Sequence, residues 1–231
     1  MAVILSFGYG AAVAWPRPVE ASFHIPNTKI RVVRGDLFKQ GTHIVVGTCD
    51  TFDTAFPFIS PNSVQGAYLN EVYRGDVGSL DAALNEQLVA AHPVETIGKA
   101  GKTVRYEVGT VIPLRAQALR HFFVAYTTMD LNNKAHGTAD GLWKSLGNLW
   151  SSVRVNSNGT TVSIPVIGGG LSGLSPVLPS EDAIRFIALS FIIASRADPV
   201  CEELRIVALP ALYDKLNHLE LQAFLSGLAR S

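Results

Sequence analysis

Four glycines fall within the six residues Gly168-Gly169-Gly170-Leu171-Ser172-Gly173, directly after the apolar run Ile164-Pro165-Val166-Ile167. Leu174 follows, and a helix start stands a little further on at Pro179-Ser180-Glu181-Asp182. A strand, a glycine-rich loop and a helix place bare backbone N–H groups around a concave turn. Without Cβ atoms, those amides can close on a phosphate. The competing reading is a flexible turn. A second chemical cluster, Cys49-Asp50-Thr51-Phe52-Asp53-Thr54, comes after the apolar run His43 to Thr48. Open α/β sheets place ligands at such strand ends. Asp50 or Asp53 could there orient or activate a water, whereas turn and cap chemistry is the local alternative.

The composition narrows the classes. A chain of 231 residues that is 48% hydrophobic can bury a full core. Its formal net charge is zero, so nucleic-acid binding through a basic surface has no support. A small anion needs no such excess. Cys49 and Cys201 stand far apart, which argues for a reducing compartment rather than a disulfide framework. No histidine and cysteine spacing resembles a metal site, and no cofactor is implied.

The elements that must position these groups can be read along the chain. Lys29 to Arg34 alternates as a strand, Gly35 to Phe38 turns, and His43 to Thr48 forms a more buried strand. Pro16 to Pro26 reads as a linker. Ser63 is expected to cap a helix through Tyr73, and Ser79 another through Ala91. Val94 to Gly109 reads as a hairpin or loop excursion. Val111-Ile112 starts a short strand, and His121 to Thr127 forms a central one, ending in the polar loop Met129 to Lys134. Thr138 to Arg154 is an amphipathic helix, with Leu142, Leu146, Leu149, Trp150 and Val153 at helical spacing. Asn158-Gly159 turns the chain into the strand Thr161 to Ile167. A buried helix then runs to about Ser195, a strand covers Leu204 to Leu209, and a last helix covers Leu212 to Leu228. Strands alternating with helices predict an α/β fold with a largely parallel sheet covered on both faces.

Met1 to Trp15 carries no charge and precedes Pro16-Arg17-Pro18. It is shorter than the roughly 20 residues that span a bilayer. It also lacks the basic start of a signal peptide. The pattern leaves two readings open: an edge strand or apolar arm of the folded domain, or the last turns of a membrane-spanning helix with Trp15 at the interface.

Taken together, Gly35-Asp36-Leu37-Phe38, the run HIVVGTCD, the Ser-rich helix start and IPVIGGGLSGL resemble a macro domain from about Lys29 to the C-terminus. The likeness implies a three-layer α/β/α fold with a mixed, largely parallel central sheet over residues 19–231. More narrowly, GDLFKQGTHIVVGTCDTFDT, SPNSVQGAYLNEVY and the Gly168 loop resemble the macro domain of the membrane-tethered effector of bacterial type II Thoeris antiphage defence. That resemblance implies that residues 1–18 end a transmembrane helix and that the domain is cytoplasmic, tethered to the inner membrane in the full-length protein. It also implies a nucleotide signal made from NAD by a TIR-domain partner, an ADP-ribose joined to histidine.

Residue by residue, the resemblance implies that Asp36 accepts from the adenine amino group and that the Leu37 backbone sits beside it. Gly168, Gly169, Gly170, Leu171, Ser172, Gly173 and Leu174 would wrap the diphosphate. Asp50 would stand near the distal ribose, with Thr48 and Cys49 beside it among the ligand contacts. The first Gly-Gly-Gly loop of hydrolytic members is replaced by Ser60 to Gly66, with Ser63, Val64 and Gly66 as contacts. That departure removes the backbone that bends the distal ribose over a water, so the expectation is a sensor with no catalytic residue. The alternative is an ADP-ribosyl hydrolase working through Asp50 or Asp53. A third reading is a scaffold whose glycine loop is only a turn. Self-association on signal binding stays open.

Overall fold

A computed structural model describes residues 18–168 and 173–230. The apolar tail, and Gly169, Gly170, Leu171 and Ser172 of the glycine loop, lie outside the described residues. The strands are β1 (Val19–Phe23), β2 (Thr28–Arg34), β3 (His43–Cys49), β4 (Pro93–Thr96), β5 (Val104–Tyr106), β6 (Val111–Ala116), β7 (Leu119–Met129), β8 (Ala135–Gly137), β9 (Val162–Pro165) and β10 (Glu203–Ala208). The helices are α1 (Val64–Tyr73), α2 (Val77–Leu88), α3 (Ala139–Asn156), α4 (Ser180–Ala197), α5 (Pro210–Tyr213) and α6 (His218–Arg230), and a 3-10 turn covers Leu37–Lys39.

The main sheet runs β1-β2-β10-β9-β3-β7-β6, with β8 added on β7. The pairings β2–β10, β10–β9, β9–β3 and β3–β7 are parallel, while β1, β6 and β8 pair antiparallel at the margins. Period-two alternation builds two cores from the same strands. Val45, Phe122 and Val124 face the layer of α3, α4 and α6. Ile44, Val46, Phe123 and Ala125 face α1, α2 and the 3-10 turn. The expected α/β/α arrangement with a mixed, largely parallel sheet is therefore the one observed.

Several elements differ from the sequence expectation. The stretch Pro16 to Pro26 contains β1, whose edge is sealed by Gln222 of α6: its amide accepts from Glu20 N at 3.0 Å and donates to Glu20 O at 2.9 Å. Asp76, not Ser79, caps α2; Asp76 takes the Ser79 N–H at 3.0 Å and the Ser79 hydroxyl at 2.6 Å. The polar loop after β7 returns as the short strand β8. The last helix breaks at Asp214 to Asn217, where the Asn217 side chain accepts from Glu220 N at 3.2 Å and restarts α6. The Val94 to Gly109 excursion is the β4–β5 hairpin.

Candidate functional site

One local feature of the sheet opens a crevice. Parallel β3 and β9 pair only at His43–Val162 and Ile44–Ser163, then separate. Gly47, Thr48 and Cys49 thus face Pro165, Val166, Ile167 and Gly168 across a cleft of about 510 Å³. The gap lies at the carboxyl ends of adjacent parallel strands, where open α/β sheets take ligands. Tyr126, Thr127 and Met129 of β7 and Ala135 of β8 extend it on one side. The loop Phe58 to Asn62 and the start of α1, Ser63 to Gln65, wall the other.

The N-terminus of α1 is built as the sequence predicts. Ser63 caps it, accepting from Gly66 N at 3.0 Å. The Val64 and Gln65 N–H groups carry no partner among the described residues, so two donors at the positive end of a helix dipole border the cleft. Gly66 itself does not line it. A Cβ on Gly66 would collide with Ser60 O, and its N–H belongs to Ser63. Its absent side chain lets the 60–61 backbone settle on α1.

The described ends of the glycine loop sit at the mouth. Gly168, at φ +102°, and Gly173, at φ +70°, occupy backbone regions that favour glycine. Leu174 is buried in the core and anchors the returning chain, while the Ser175 hydroxyl donates to Gly168 O at 3.1 Å. Gly173 approaches Ala135 O on β8, to 3.8 Å from an added Cβ. The loop ends therefore flank the opening.

Asp36 stands after β2, whose C-terminal end lies at the same margin of the sheet. Its Oδ1 accepts from Phe38 N at 2.9 Å and caps the 3-10 turn that lies alongside β9. Its Oδ2 has Lys39 at 3.8 Å, and neither Asp36 nor Leu37 lines the cleft. The Leu37 side chain is buried in the second core.

Asp50 and Asp53 take a different place from the one expected at a strand end. Asp50 is 2% exposed and does not line the cleft. Its Oδ1 accepts from Met129 N at 2.9 Å and its Oδ2 pairs with Arg105 at 3.2 Å. Burial pushes its carboxyl above the ordinary range, against the pull of those two partners. Asp53 accepts from Lys99 Nζ at 2.7 Å, Thr51 Oγ1 at 2.5 Å and Lys102 N at 2.8 Å. Both carboxylates tie the β4–β5 hairpin to the β3 end. Cys49 does line the cleft, and burial holds its thiol up and protonated.

Gln65 is the functional candidate that sequence reasoning missed. It is the second residue of α1, 5% exposed, and lines the cleft. Its only sequence signal was its place two residues after the cap. No charged side chain lines the cleft among the described residues, and they contain no group of His, Cys, Asp and Glu able to hold a metal.

The model of the Thoeris protein ThsA macro domain matches residues 30–208. The chain belongs to the ThsA macro-domain family. The Thoeris protein ThsA of Bacillus amyloliquefaciens (strain Y2) is 22% identical over 158 residues, 65% of this chain and 52% of that protein. The chain thus spans about half the length of this curated relative. Among solved structures, a point mutant of the Oceanobacillus iheyensis macrodomain with ADPR superposes with a TM-score of 0.59 at 17% identity, covering 92% of this chain and 100% of that one. The same macrodomain with ADP gives a TM-score of 0.53 at 15% identity, covering 93% and 97%. These likenesses establish the macro fold. No helix of the described residues is long and apolar enough to cross a membrane.

Proposed function

We propose that this macro domain is a sensor that holds an ADP-ribose-type nucleotide across the β9, β3 and β7 ends and releases it unchanged. The observation that carries this reading is the β3–β9 crevice, bordered by free helix N–H donors and glycine-loop ends and lined by no charged side chain among the described residues. An anionic diphosphate held by backbone amides and a helix N-terminus needs no cation. In this reading Asp36 takes the adenine amino group, and the Gly168 loop takes the diphosphate together with the start of α1. The distal ribose then lies toward Thr48, Cys49 and Gln65.

We infer that the domain binds its ligand without turning it over. Asp50 and Asp53 are committed to Arg105 and Lys99, so neither is placed to activate a water in the cleft. The family assignment supports a role in Thoeris defence. We infer histidine-linked ADP-ribose, made by a TIR-domain partner, as the signal. We further infer that binding activates a membrane effector, with this domain on the cytoplasmic side of the inner membrane and joined to it through the segment before β1.

Thermal denaturation with ADP-ribose, histidine-linked ADP-ribose, NAD and AMP tests the reading, with the nucleotide analysed afterwards. A ligand at 100 times its Kd should add about 2.7 kcal/mol, several degrees for a domain of this size. A shift with intact nucleotide is expected. Cleaved nucleotide would make the protein a hydrolase, and no shift with any of the four would remove the nucleotide site.

A further inference from the structure

Gln65 lines the cleft with one end of its side-chain amide spent and the other end open. Its Nε2 donates to the carbonyl of Asp53. That carbonyl can only accept, so the amide cannot turn over, and Oε1 is the atom left without a protein partner among the described residues. Asp53 is itself held from three directions, by Lys99, Thr51 and the Lys102 N–H. The acceptor is therefore fixed in place by a buried network rather than carried on a mobile side chain. Close by, the Thr48 hydroxyl, on a residue 4% exposed that borders the same cleft, also lacks a partner among the described residues. Buried polar groups are seldom left unpaired.

We propose that Gln65 is a specificity-determining residue whose Oε1 accepts a hydrogen bond from a hydroxyl on the group attached to the ligand's second phosphate. The inference rests on the nucleotide reading above and refines it. A fixed, neutral acceptor favours a hydroxylated substituent there, such as a sugar, and gives nothing to a bare diphosphate end. The helix donors at Val64 and Gln65 serve the phosphates, and the Gln65 side chain serves the substituent beyond them.

The test compares ADP-ribose with ADP by titration calorimetry on the wild-type protein and on Gln65→Met, which keeps the side-chain length and removes the acceptor. Gln65→Met should weaken ADP-ribose about tenfold or more and leave ADP within about twofold. An equal loss for both ligands, or no loss for ADP-ribose, overturns the assignment. Should Gln65→Met fail to fold, the wild-type protein alone decides: ADP-ribose must bind about tenfold tighter than ADP carrying a propyl ester in place of the ribose, and equal affinities overturn the proposal. If wild-type protein binds neither ADP-ribose nor ADP, the nucleotide reading itself has failed and this inference falls with it. Binding of both ligands with unchanged selectivity in Gln65→Met defeats only the inference.

Discussion

Lys99 and Asp53 meet at 2.7 Å with side chains 0% and 1% exposed, although 46 residues separate them. Lys99 also donates to Ala100 O and to Asn133 Oδ1, each at 3.0 Å, so one ammonium joins the β4–β5 hairpin, the end of β3 and the β7–β8 loop. Asp53 is also the residue whose carbonyl takes the Gln65 side-chain amide. A buried pair is weak evidence of net stability, but breaking it by removing one partner strands a charge. Lys99→Met should therefore cost about 3–5 kcal/mol in urea unfolding. The double variant Lys99→Met with Asp53→Asn should recover much of that loss. If Lys99→Met unfolds at the wild-type midpoint, the pair does not anchor these segments.

Gly47 and Tyr126 make a second sharp case. A Cβ on Gly47 would stand 2.6 Å from Cε1 of the Tyr126 ring, which lines the cleft. The ring packs over the glycine because nothing projects from it. Gly47→Ala should push the ring into the ligand space and weaken ADP-ribose by about tenfold, or roughly 1.4 kcal/mol. Adding Tyr126→Ala should relieve the clash and restore part of the affinity. Wild-type affinity in Gly47→Ala would show that the ring yields away from the cleft.

Local chemistry was legible in the sequence; partners brought in by the fold were not. Ser63 at the start of α1, the Gly35-Asp36 turn and the glycines at 168 and 173 obey capping and backbone rules that act over a few residues. The β3 run and its cleft-lining end were equally readable. Asp50 and Asp53 looked like cleft groups because they come just after that end, yet Arg105 and Lys99 arrive from a hairpin whose approach no local pattern encodes. Gln65 showed only its place after the cap, because its burial depends on the Asp53 carbonyl reaching back to α1. The edge strand β1 hid between prolines, and its sealing residue, Gln222, lies 202 residues away.

Asp36 offers a test that separates turn chemistry from ligand chemistry. One oxygen caps the 3-10 turn through Phe38 N, and Asn can make the same bond. Asp36→Asn should keep the melting temperature within a degree or two. It should weaken ADP-ribose about tenfold, and it should reduce the preference for ADP-ribose over its inosine counterpart, which lacks the amino group. Equal losses for both nucleotides would take Asp36 out of adenine recognition.

His121 makes folding stability depend on pH. It is buried on β7 at the end of the sheet away from the cleft, with Tyr68 Oη at 3.0 Å from Nδ1. Burial, and then the neighbouring His43, push it down to about 4. His43 is lowered too, chiefly by burial; its Nδ1 accepts from Arg120 N at 2.7 Å, so Nε2 carries the proton toward Ser157 O at 3.1 Å. The unfolded chain titrates near 6.5, so between about 6.5 and 4 it takes up a proton that the folded state refuses. Stability from His121 is thus complete above about 6.5 and is lost as pH falls toward 4, by roughly 3 kcal/mol. His121→Gln keeps a partner for Tyr68 and cannot titrate. Urea unfolding of this variant should fall less steeply than wild type between pH 6.5 and 4, and the two curves should run parallel above about pH 7. Parallel curves throughout would mean that His121 titrates in the fold as it does in the unfolded chain and that the slope arises elsewhere.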